Sequence, residues 1–434
     1  MKERPNPFEA SLSVPMLCLR TVCVVCIAAA VIAARPLFEW LSVAAMAWVL
    51  VVVWGRHVLF SENLTSLPNL GIADSGPALP SPAPAVTLIV PARNEQMGIE
   101  SAARALAAID YPALEVLIVD DHSTDDTPAI LQRLARELPR LRVLSAPYVP
   151  PGWTGKIHAS WFAVTQGDPA ARWLLFTDAR VKFHPASVAR AVALAEAKRL
   201  GFLSCIIRFE GVGVAEELIA IQQNRGLLTS ARRFGGGPPV APFGLGAFSM
   251  IRRDVYVRCG GHSAAPDHPL EDFMLAKSAH DCGAATSAAI ASDLVALRRY
   301  QGFGDMRRRI VRTFRLAAGD SVPDLLNRSS MELLLTVLPP LVVAGVTVRA
   351  AVTGSVHAGL AATGALAFLT WLAGASTPRS AKRICGYRPW LAWYYPMGSA
   401  LAIWFYLLAI GERLRGKSIW WRGRAIQPPS KAVL

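Results

Sequence analysis

The chain has 434 residues, of which 53% are hydrophobic and 18% are charged, and its mean hydropathy is +0.35. This composition is too apolar for an ordinary soluble protein and indicates membrane segments. The net charge of +14 does not indicate nucleic-acid binding, because nine of the excess positive charges lie in residues 331–434, around apolar stretches. Basic residues in such positions predict a cytoplasmic face and contact with anionic membrane lipids.

A membrane anchor is predicted for residues 1–60. Residues 36–55 carry a single charge, Glu39, and are long enough to cross a bilayer. Residues 21–34 are uncharged but shorter, so they fit either the first helix of a hairpin or a secretory signal peptide. A second apolar stretch follows at once, which favours the hairpin. Residues 61–85 are rich in Pro, Gly and Ser and predict a linker.

Residues 86–300 alternate between short apolar runs and helical patterns. TPAILQRLAREL (127–138) predicts a helix with Thr127 as its N-cap. Strands are predicted for VTLIV (86–90), LEVLIVDD (114–121), LRVLSA (141–146) and RWLLFTDA (172–179). This alternation is typical of an α/β fold with a mostly parallel central sheet, in which ligands bind at the carboxyl ends of the strands.

Three of the predicted strands end in charged side chains. VPARNE carries Arg93 and Glu95 after the first strand, VDDHSTDD carries Asp121 after the second, and FTDAR carries Asp178 and Arg180 after the fourth. A single such residue often only caps the next helix. Three groups at one sheet edge predict a ligand site, because carboxylates bind ribose and base edges and recruit Mg²⁺ or Mn²⁺ near a diphosphate.

Six short motifs occur in a specific order: PARNE, VDDHSTD, PPGWTGK, TDA, GGH and LED. Together they cover roughly residues 86–315, and the pattern continues to WRGR (421–424). The ordered set resembles the family-2 glycosyltransferases. Within them it is most similar to a membrane-bound branch that includes carotenoid-acid and hopanoid-associated glycosyltransferases. The resemblance implies a Rossmann-like GT-A domain and inverting transfer from a nucleotide sugar, with UDP-glucose as a candidate donor.

The resemblance also implies which residues bind the nucleotide sugar. By this resemblance Ala92, Arg93 and Glu95 line the base pocket, and Asp121 holds the uracil or ribose side. Lys156 lies near the nucleotide, and Asp178 faces the ribose and diphosphate.

The LED motif (270–272) fits the chemistry of the transfer. The acceptor loses a proton as it attacks the anomeric carbon, and a carboxylate within hydrogen-bond reach takes that proton. The resemblance makes Asp272 this general base, and like-charge repulsion from Glu271 is expected to raise its pKa. The alternative is that both acids only stabilise a helix N-terminus.

Arg180 departs from the pattern of the resembling family, which usually has Asp-x-Asp here and holds a divalent metal with the second acid. An arginine offers no lone pair to a metal, so a metal at Asp178 is in doubt. Three interpretations stay open. Arg180 binds the diphosphate itself and replaces part of the metal's charge. It pairs with a surface acid and leaves a weakened metal site on Asp178. Or the protein is a catalytically silent membrane scaffold.

Residues 301–330 predict a basic amphipathic segment. Seven arginines and one acid lie within 298–315, and Met306, Ile310 and Phe314 recur on one helical face. This pattern is typical of a helix in the membrane interface, or of a solvated basic helix.

Residues 331–411 predict C-terminal membrane segments, and residues 412–434 a basic tail. Basic residues flank 391–411 on both sides, which predicts that this stretch does not cross the membrane. The Gln-x-x-Arg-Trp motif of processive polysaccharide synthases is absent after Gln301, which favours transfer of one sugar over polymerisation. The sequence therefore predicts an enzyme of the inner or plasma membrane, with a cytoplasmic catalytic domain and a lipid or isoprenoid acceptor.

Overall fold

The computed structural model describes residues 36–72, 76–211, 213–230, 243–268, 270–385, 388–421 and 424–426, together with residues 20, 22–24 and 27. The predicted helix over residues 21–34, the middle of WRGR and the end of the basic tail lie wholly or largely outside these residues. The described chain forms an α/β domain with long apolar helices before and after it.

Ten strands are described in the α/β domain: β1 (Val86–Ala92), β2 (Leu114–Asp120), β3 (Leu141–Ser145), β4 (Trp173–Phe176), β5 (Val181–Phe183), β6 (Phe202–Ile206), β7 (Arg208–Phe209), β8 (Ser249–Arg252), β9 (Thr286–Ile290) and β10 (Val295–Leu297). Seven form a central sheet in the order β3-β2-β1-β4-β8-β6-β9, and β5, β10 and β7 form a smaller sheet. In the central sheet β8 is antiparallel to both neighbours, and the other pairs are parallel. The predicted α/β fold with a mostly parallel sheet is confirmed.

Helices cover both faces of this sheet, which explains why its strands are near-continuous apolar runs. They are α2 (Ile99–Ala107), α3 (Thr127–Glu137), α4 (Gly155–Gln166), α5 (Ser187–Ala197), α6 (Val214–Ser230), α7 (Arg253–Arg258) and α8 (Glu271–Asp281), after α1 (Pro36–Ser66), which precedes the domain. The core between the layers includes Leu88, Ile118 and Leu175, all fully buried.

Thr127 is the first residue of α3 and not its N-cap, which is Asp126. The hydroxyl of Thr127 accepts a hydrogen bond from the backbone N–H of Glu95 (2.8 Å). The backbone N–H of Thr127 in turn donates to Oδ1 of Asp125 (3.0 Å). The threonine therefore holds the loop after β1, and the side chain of Asp125 accepts the first backbone N–H of the helix.

The chain after the domain is helical over most of its described length: α9 (Phe303–Ala317), α10 (Val322–Glu332), a π-helical turn (Leu333–Val337), α11 (Leu338–Thr353), α12 (Ala358–Cys385), a 3₁₀ turn (Pro389–Tyr394) and α13 (Tyr395–Leu414). A short hairpin, β11 (Ile419–Trp421) and β12 (Arg424–Ile426), follows. By length and composition, four segments of the described chain are able to cross a membrane: Glu39–Glu62, Val322–Thr353, Ala358–Ser376 and Pro389–Leu414.

Helix α1 extends past the predicted border at residue 60 and ends at Ser66. The first residues of the predicted linker therefore belong to α1, and Leu70 farther along it donates its backbone N–H to the carbonyl of Ile290 at the sheet edge (2.8 Å). Within the apolar helices, α1 lies against α12, where Ser42 hydrogen-bonds to Thr363 (2.7 Å).

The apolar face of α9 is covered by protein. Ile310 and Phe314 are buried against α13, and the ring of Phe314 stacks on Tyr406 with centroids 3.9 Å apart. The sequence predicts that this face meets the membrane, but α13 occupies it. The basic side of α9 remains outward, since the Arg308 side chain is 70% exposed, so contact of α9 with a membrane surface stays a prediction.

Candidate active site at the carboxyl edge of the sheet

The loops that follow β1 and β2 interlock at the carboxyl edge of the sheet. Ala92 pairs with Asp120 in the register of the two strands, and the backbone N–H of Asp121 donates to the carbonyl of Ala92 (2.8 Å). Asn94 has a left-handed backbone (φ 51°), and its side-chain oxygen accepts from the backbone N–H of Thr124 (2.8 Å). These bonds fix both loops relative to one another.

Arg93 and Asp121 form the first charged pair of this edge. A guanidinium N–H of Arg93 donates to the backbone carbonyl of Asp121 (2.8 Å), and the same nitrogen lies 4.0 Å from the carboxylate. The Asp121 carboxylate is also 3.2 Å from Nδ1 of His122. Two residues that the sequence predicts to bind the nucleotide sugar, Arg93 and Asp121, are therefore in direct contact.

His158 on α4 is a residue of this region that sequence reasoning missed. It is buried, and its Nδ1 has no hydrogen-bond partner within the described part of the chain. Its pKa is lowered by burial and by His122, against the opposing charge of Asp121. Its ring stacks on Trp161 and meets Trp153 edge-on. The sequence could have indicated His158 by its position, two residues after Lys156 of the PPGWTGK motif.

Arg180 turns back across the edge and pairs with Glu95. Its Nε lies 3.3 Å from Oε2 of Glu95, and both side chains are largely buried. Its charge also reaches Asp305 on α9. Burial opposes ionisation of that acid, but a hydrogen bond and charge from Arg309, together with the charge of Arg180, lower its pKa. The arginine therefore has a partner inside the site, the largely buried Glu95.

Lys156 links two of the predicted acids. It lies in the first turn of α4, where Thr154 accepts from the backbone N–H of Ile157 (3.5 Å) and caps the helix. The ammonium donates to Oδ1 of Asp178 (2.8 Å) and forms a close ion pair with Glu271. Burial alone would lower the pKa of Lys156, but the charges of Asp178 and Glu271 outweigh it and raise the pKa. Lys156 is therefore a fixed cation.

Asp272 lies beside this ion cluster in the first turn of α8. Its Oδ2 accepts the backbone N–H of Gly246 (2.5 Å), and its Oδ1 accepts that of Phe273 (2.8 Å). Burial, followed by the charge of Glu271, raises the pKa of Asp272 to about 7. Because α8 begins at Glu271, both acids also occupy the favourable position at a helix N-terminus.

Glycines allow the backbone to approach Asp272 closely, and sequence reasoning missed their role. A Cβ atom at Gly244 would lie 2.0 Å from the backbone oxygen of Asp272. A Cβ at Gly246 would lie 3.3 Å from the Asp272 carboxylate and 3.4 Å from Nζ of Lys156. A side chain at Gly244 is therefore excluded, and one at Gly246 would crowd both charged groups.

His262 of the GGH motif is a structural neighbour of the site. Its Nδ1 is 2.9 Å from the hydroxyl of Tyr256, and its ring meets Phe176 edge-on. Burial, with a contribution from the charge of Lys156, lowers the pKa of His262 to about 3. The imidazole is therefore neutral at physiological pH and holds the wall of a small cavity that Lys156 and Asp272 also line.

The described side chains of this edge do not form a divalent-metal site by themselves. The described residues contain no group of three His, Cys, Asp or Glu side chains placed to hold a metal ion. Asp178 accepts a hydrogen bond from Lys156. Two residues later the chain has Arg180, which pairs with Glu95. A cation here would depend on oxygens that a bound diphosphate brings.

A family model described as glycosyl transferase family 2 matches residues 87–260. The beta-monoglucosyldiacylglycerol synthase of Synechocystis sp. is 41% identical over 96 residues, which are 22% of this chain and 20% of that protein. The 4,4'-diaponeurosporenoate glycosyltransferase of Staphylococcus haemolyticus is 22% identical over 252 residues, which are 56% of this chain and 64% of that protein. The chain thus spans about a fifth of the synthase and under two thirds of the second relative.

Among solved structures, the mannosyltransferase PcManGT from Pyrobaculum calidifontis in complex with GDP-Man and Mn²⁺ is similar, with 21% identity and a TM-score of 0.49. The alignment covers 92% of this chain and 99% of that one.

Proposed function

Because the chain carries a glycosyl transferase family 2 domain, we propose that it moves one sugar from a nucleotide sugar to a lipid or isoprenoid acceptor at a membrane. Two relatives support the acceptor class, since one is named for a glucosyldiacylglycerol and the other for diaponeurosporenoate. The apolar helices at both ends of the domain give the protein a means to reach such an acceptor. UDP-glucose is the first donor to test.

The observation that carries the proposal is the position of Asp272 beside the Lys156 cluster. In the proposed reaction the acceptor oxygen attacks the anomeric carbon and gives its proton to the Asp272 carboxylate. The bond from the anomeric carbon to the diphosphate oxygen breaks, and its electron pair leaves with the nucleoside diphosphate. Attack on the face opposite the leaving group inverts the anomeric configuration.

The cations of the site would stabilise the leaving diphosphate. Lys156 keeps its charge at any physiological pH because two carboxylates surround it. Arg180 pairs with Glu95 at the same edge of the sheet. Its planar guanidinium has the geometry to bind a diphosphate with two hydrogen bonds. When the nucleotide sugar binds, Lys156 and Arg180 would contact the phosphate oxygens in addition to the carboxylates that hold them now.

The catalytic domain is proposed to face the cytoplasm. The basic residues that support this lie after the domain: residues 331–434 hold 11 Lys and Arg against two acids. An excess of basic residues next to membrane segments is typical of the cytoplasmic side. A catalytic domain on the cytoplasmic side also fits a donor that is a soluble nucleotide sugar.

The test compares cells that produce the natural protein with cells that produce Asp272→Asn. Lipid mass spectrometry is expected to find a lipid that gains one hexose only with the natural protein. A purified sample should release nucleoside diphosphate from the matching donor. No release from any donor would instead support a silent scaffold, and a ladder of products would support a processive synthase.

A further inference from the structure

Helix α13 packs mainly on elements that do not belong to the bundle of α1, α11 and α12. Its inner face contacts α6, α9 and α10, and also the π-helical turn that joins α10 to α11. These three helices carry charged or amide side chains at many positions, among them Glu217, Arg225 and Asp324. Gly398 lies so close to α6 that a Cβ there would be 2.4 Å from the backbone oxygen of Leu218. Most contacts of α13 therefore lie on polar helices, and it meets the apolar bundle mainly at the π-helical turn where α11 begins.

Both ends of α13 are tied to the α/β domain or to α9. Before α13, the guanidinium of Arg388 pairs with Glu217 at the start of α6 (2.8 Å). At its end, Arg413 pairs with Asp320, directly after α9 (3.3 Å), and Glu412 approaches Arg315 (3.6 Å). A helix that crossed the bilayer would carry one of these ends to the other side, about 30 Å away.

The direction of the bundle helices also supports a start of α13 on the side of the α/β domain. Helices α1 and α12 run parallel, because Ser42 meets Thr363 and His57 meets Ser376 farther along both helices. Helix α1 ends at the domain, so α12 also ends on the domain side. Helix α13 therefore starts on the same side as the domain.

We propose that α13 lies along the membrane surface on the side of the catalytic domain and does not cross. Three segments (α1, α11 with the π-helical turn before it, and α12) would cross instead. The inference rests on the membrane location proposed above and not on the reaction. It also places the hairpin of β11 and β12 on the catalytic side.

The outer face of α13 and its preceding turn fits the boundary between lipid headgroups and acyl chains. Large apolar side chains are exposed along it: Trp390, Tyr394, Met397, Trp404, Leu407 and Leu414. Aromatic residues of this kind favour the membrane interface. Exposed basic side chains lie near both ends of the row, with Arg388 48% and Arg413 50% exposed, and Arg308 on α9 is 70% exposed. The partner that suits this surface is a bilayer with anionic headgroups.

The first test uses the full chain with an epitope tag after Leu434, in sealed inverted and right-side-out membrane vesicles. A protease is expected to remove the α/β domain and the tag from the same vesicle type and to spare both in the other. Protection of the tag in vesicles that lose the domain would show that α13 crosses, and would overturn the inference. Neither outcome depends on glycosyl transfer.

The second test measures depth with a fluorophore on Trp404→Cys, compared with Phe368→Cys in the middle of the α12 segment. The native cysteines are replaced by alanine in both, and samples that run as a single species are used. Shallow brominated lipids should quench the Trp404 probe, and deep ones the Phe368 probe. Equal depth of the two probes would overturn the inference, as would a Trp404 probe that no lipid quenches.

Discussion

The two edges of the central sheet both carry dense charge, but their electrostatics differ. At the amino edge, Arg172 pairs with Glu196 (2.6 Å) and Arg252 with Asp254 (2.5 Å), in exposed positions. The pKa of Asp254 is lowered there, chiefly by its hydrogen bond to Arg252. At the carboxyl edge, the pKa of Asp272 is raised instead, because burial and Glu271 oppose its charge.

This difference separates a site from a charged surface. An exposed ion pair keeps both partners ionised and contributes little stability, about 0–1 kcal/mol. A buried acid beside a second acid exchanges its proton near neutral pH, which suits a general base. Both edges carry paired charges, so burial and the direction of the pKa shift are the informative quantities.

The largest expected difference between the edges is in catalysis. Asp272→Asn removes the base but keeps the size of the side chain, so sugar transfer should fall about 10²- to 10⁴-fold while donor binding stays nearly intact. The matched variant Asp254→Asn at the amino edge should transfer at the natural rate. Transfer is measured as product formation, and binding by calorimetry with the nucleotide. Full transfer by Asp272→Asn would remove this residue from the mechanism.

A loss of about 10²-fold in kcat is expected for Lys156→Met, since a fixed cation near the leaving group is removed. The control is Lys182→Met, because Lys182 pairs with Glu210 (2.9 Å) on an exposed surface. Both variants are compared in steady-state kinetics with the same donor. Equal kcat in the two lysine variants would mean that the Lys156 cluster only maintains the structure.

The pH profile should show a smaller effect. The pKa of Asp272 is raised to about 7 from the usual range of an aspartate, so the base form prevails only above that value. The kcat/KM should fall about tenfold per pH unit as the pH drops below 7. In Glu271→Gln the like charge is absent, and the acid limb should move to lower pH. A flat profile of the natural protein between pH 5 and 8 would contradict a base with this pKa.

The smallest expected effect is that of chelation. Because Arg180 and Lys156 supply fixed positive charge, transfer should survive EDTA, and Arg180→Asp should become metal-dependent or inactive. The measurement is the initial rate with EDTA and after added Mn²⁺. If EDTA abolishes activity of the natural protein and Mn²⁺ restores it, a metal is held and Arg180 is not its replacement.

The sheet and its carboxyl edge could be predicted because their signals are local. Strands β1, β2 and β4 are apolar runs that end next to polar residues, and parallel strands bring such ends to one edge. The partner of Arg180 could not be predicted in this way. Glu95 lies on another loop, and no spacing rule connects the two residues.

The same limit applies to the apolar face of α9. The helical spacing of Met306, Ile310 and Phe314 predicts an apolar stripe but not what covers it. The cover is supplied by Phe405 and Tyr406, about ninety residues later in the chain. Likewise, nothing in the sequence around Gly244 and Gly246 indicated that their backbone would contact Asp272.

The contact of α1 with α12 has a consequence for biosynthesis. The hydrogen bond between Ser42 and Thr363 joins positions 321 residues apart, so α1 leaves the ribosome long before its partner exists. Within its own helix the hydroxyl of Ser42 donates to the carbonyl of Glu39 (2.7 Å), a bond that does not need α12. The α/β domain is complete in sequence before α12 is made, and domains generally fold as units during synthesis. The contact between α1 and α12 can therefore form only after the whole α/β domain has been synthesised.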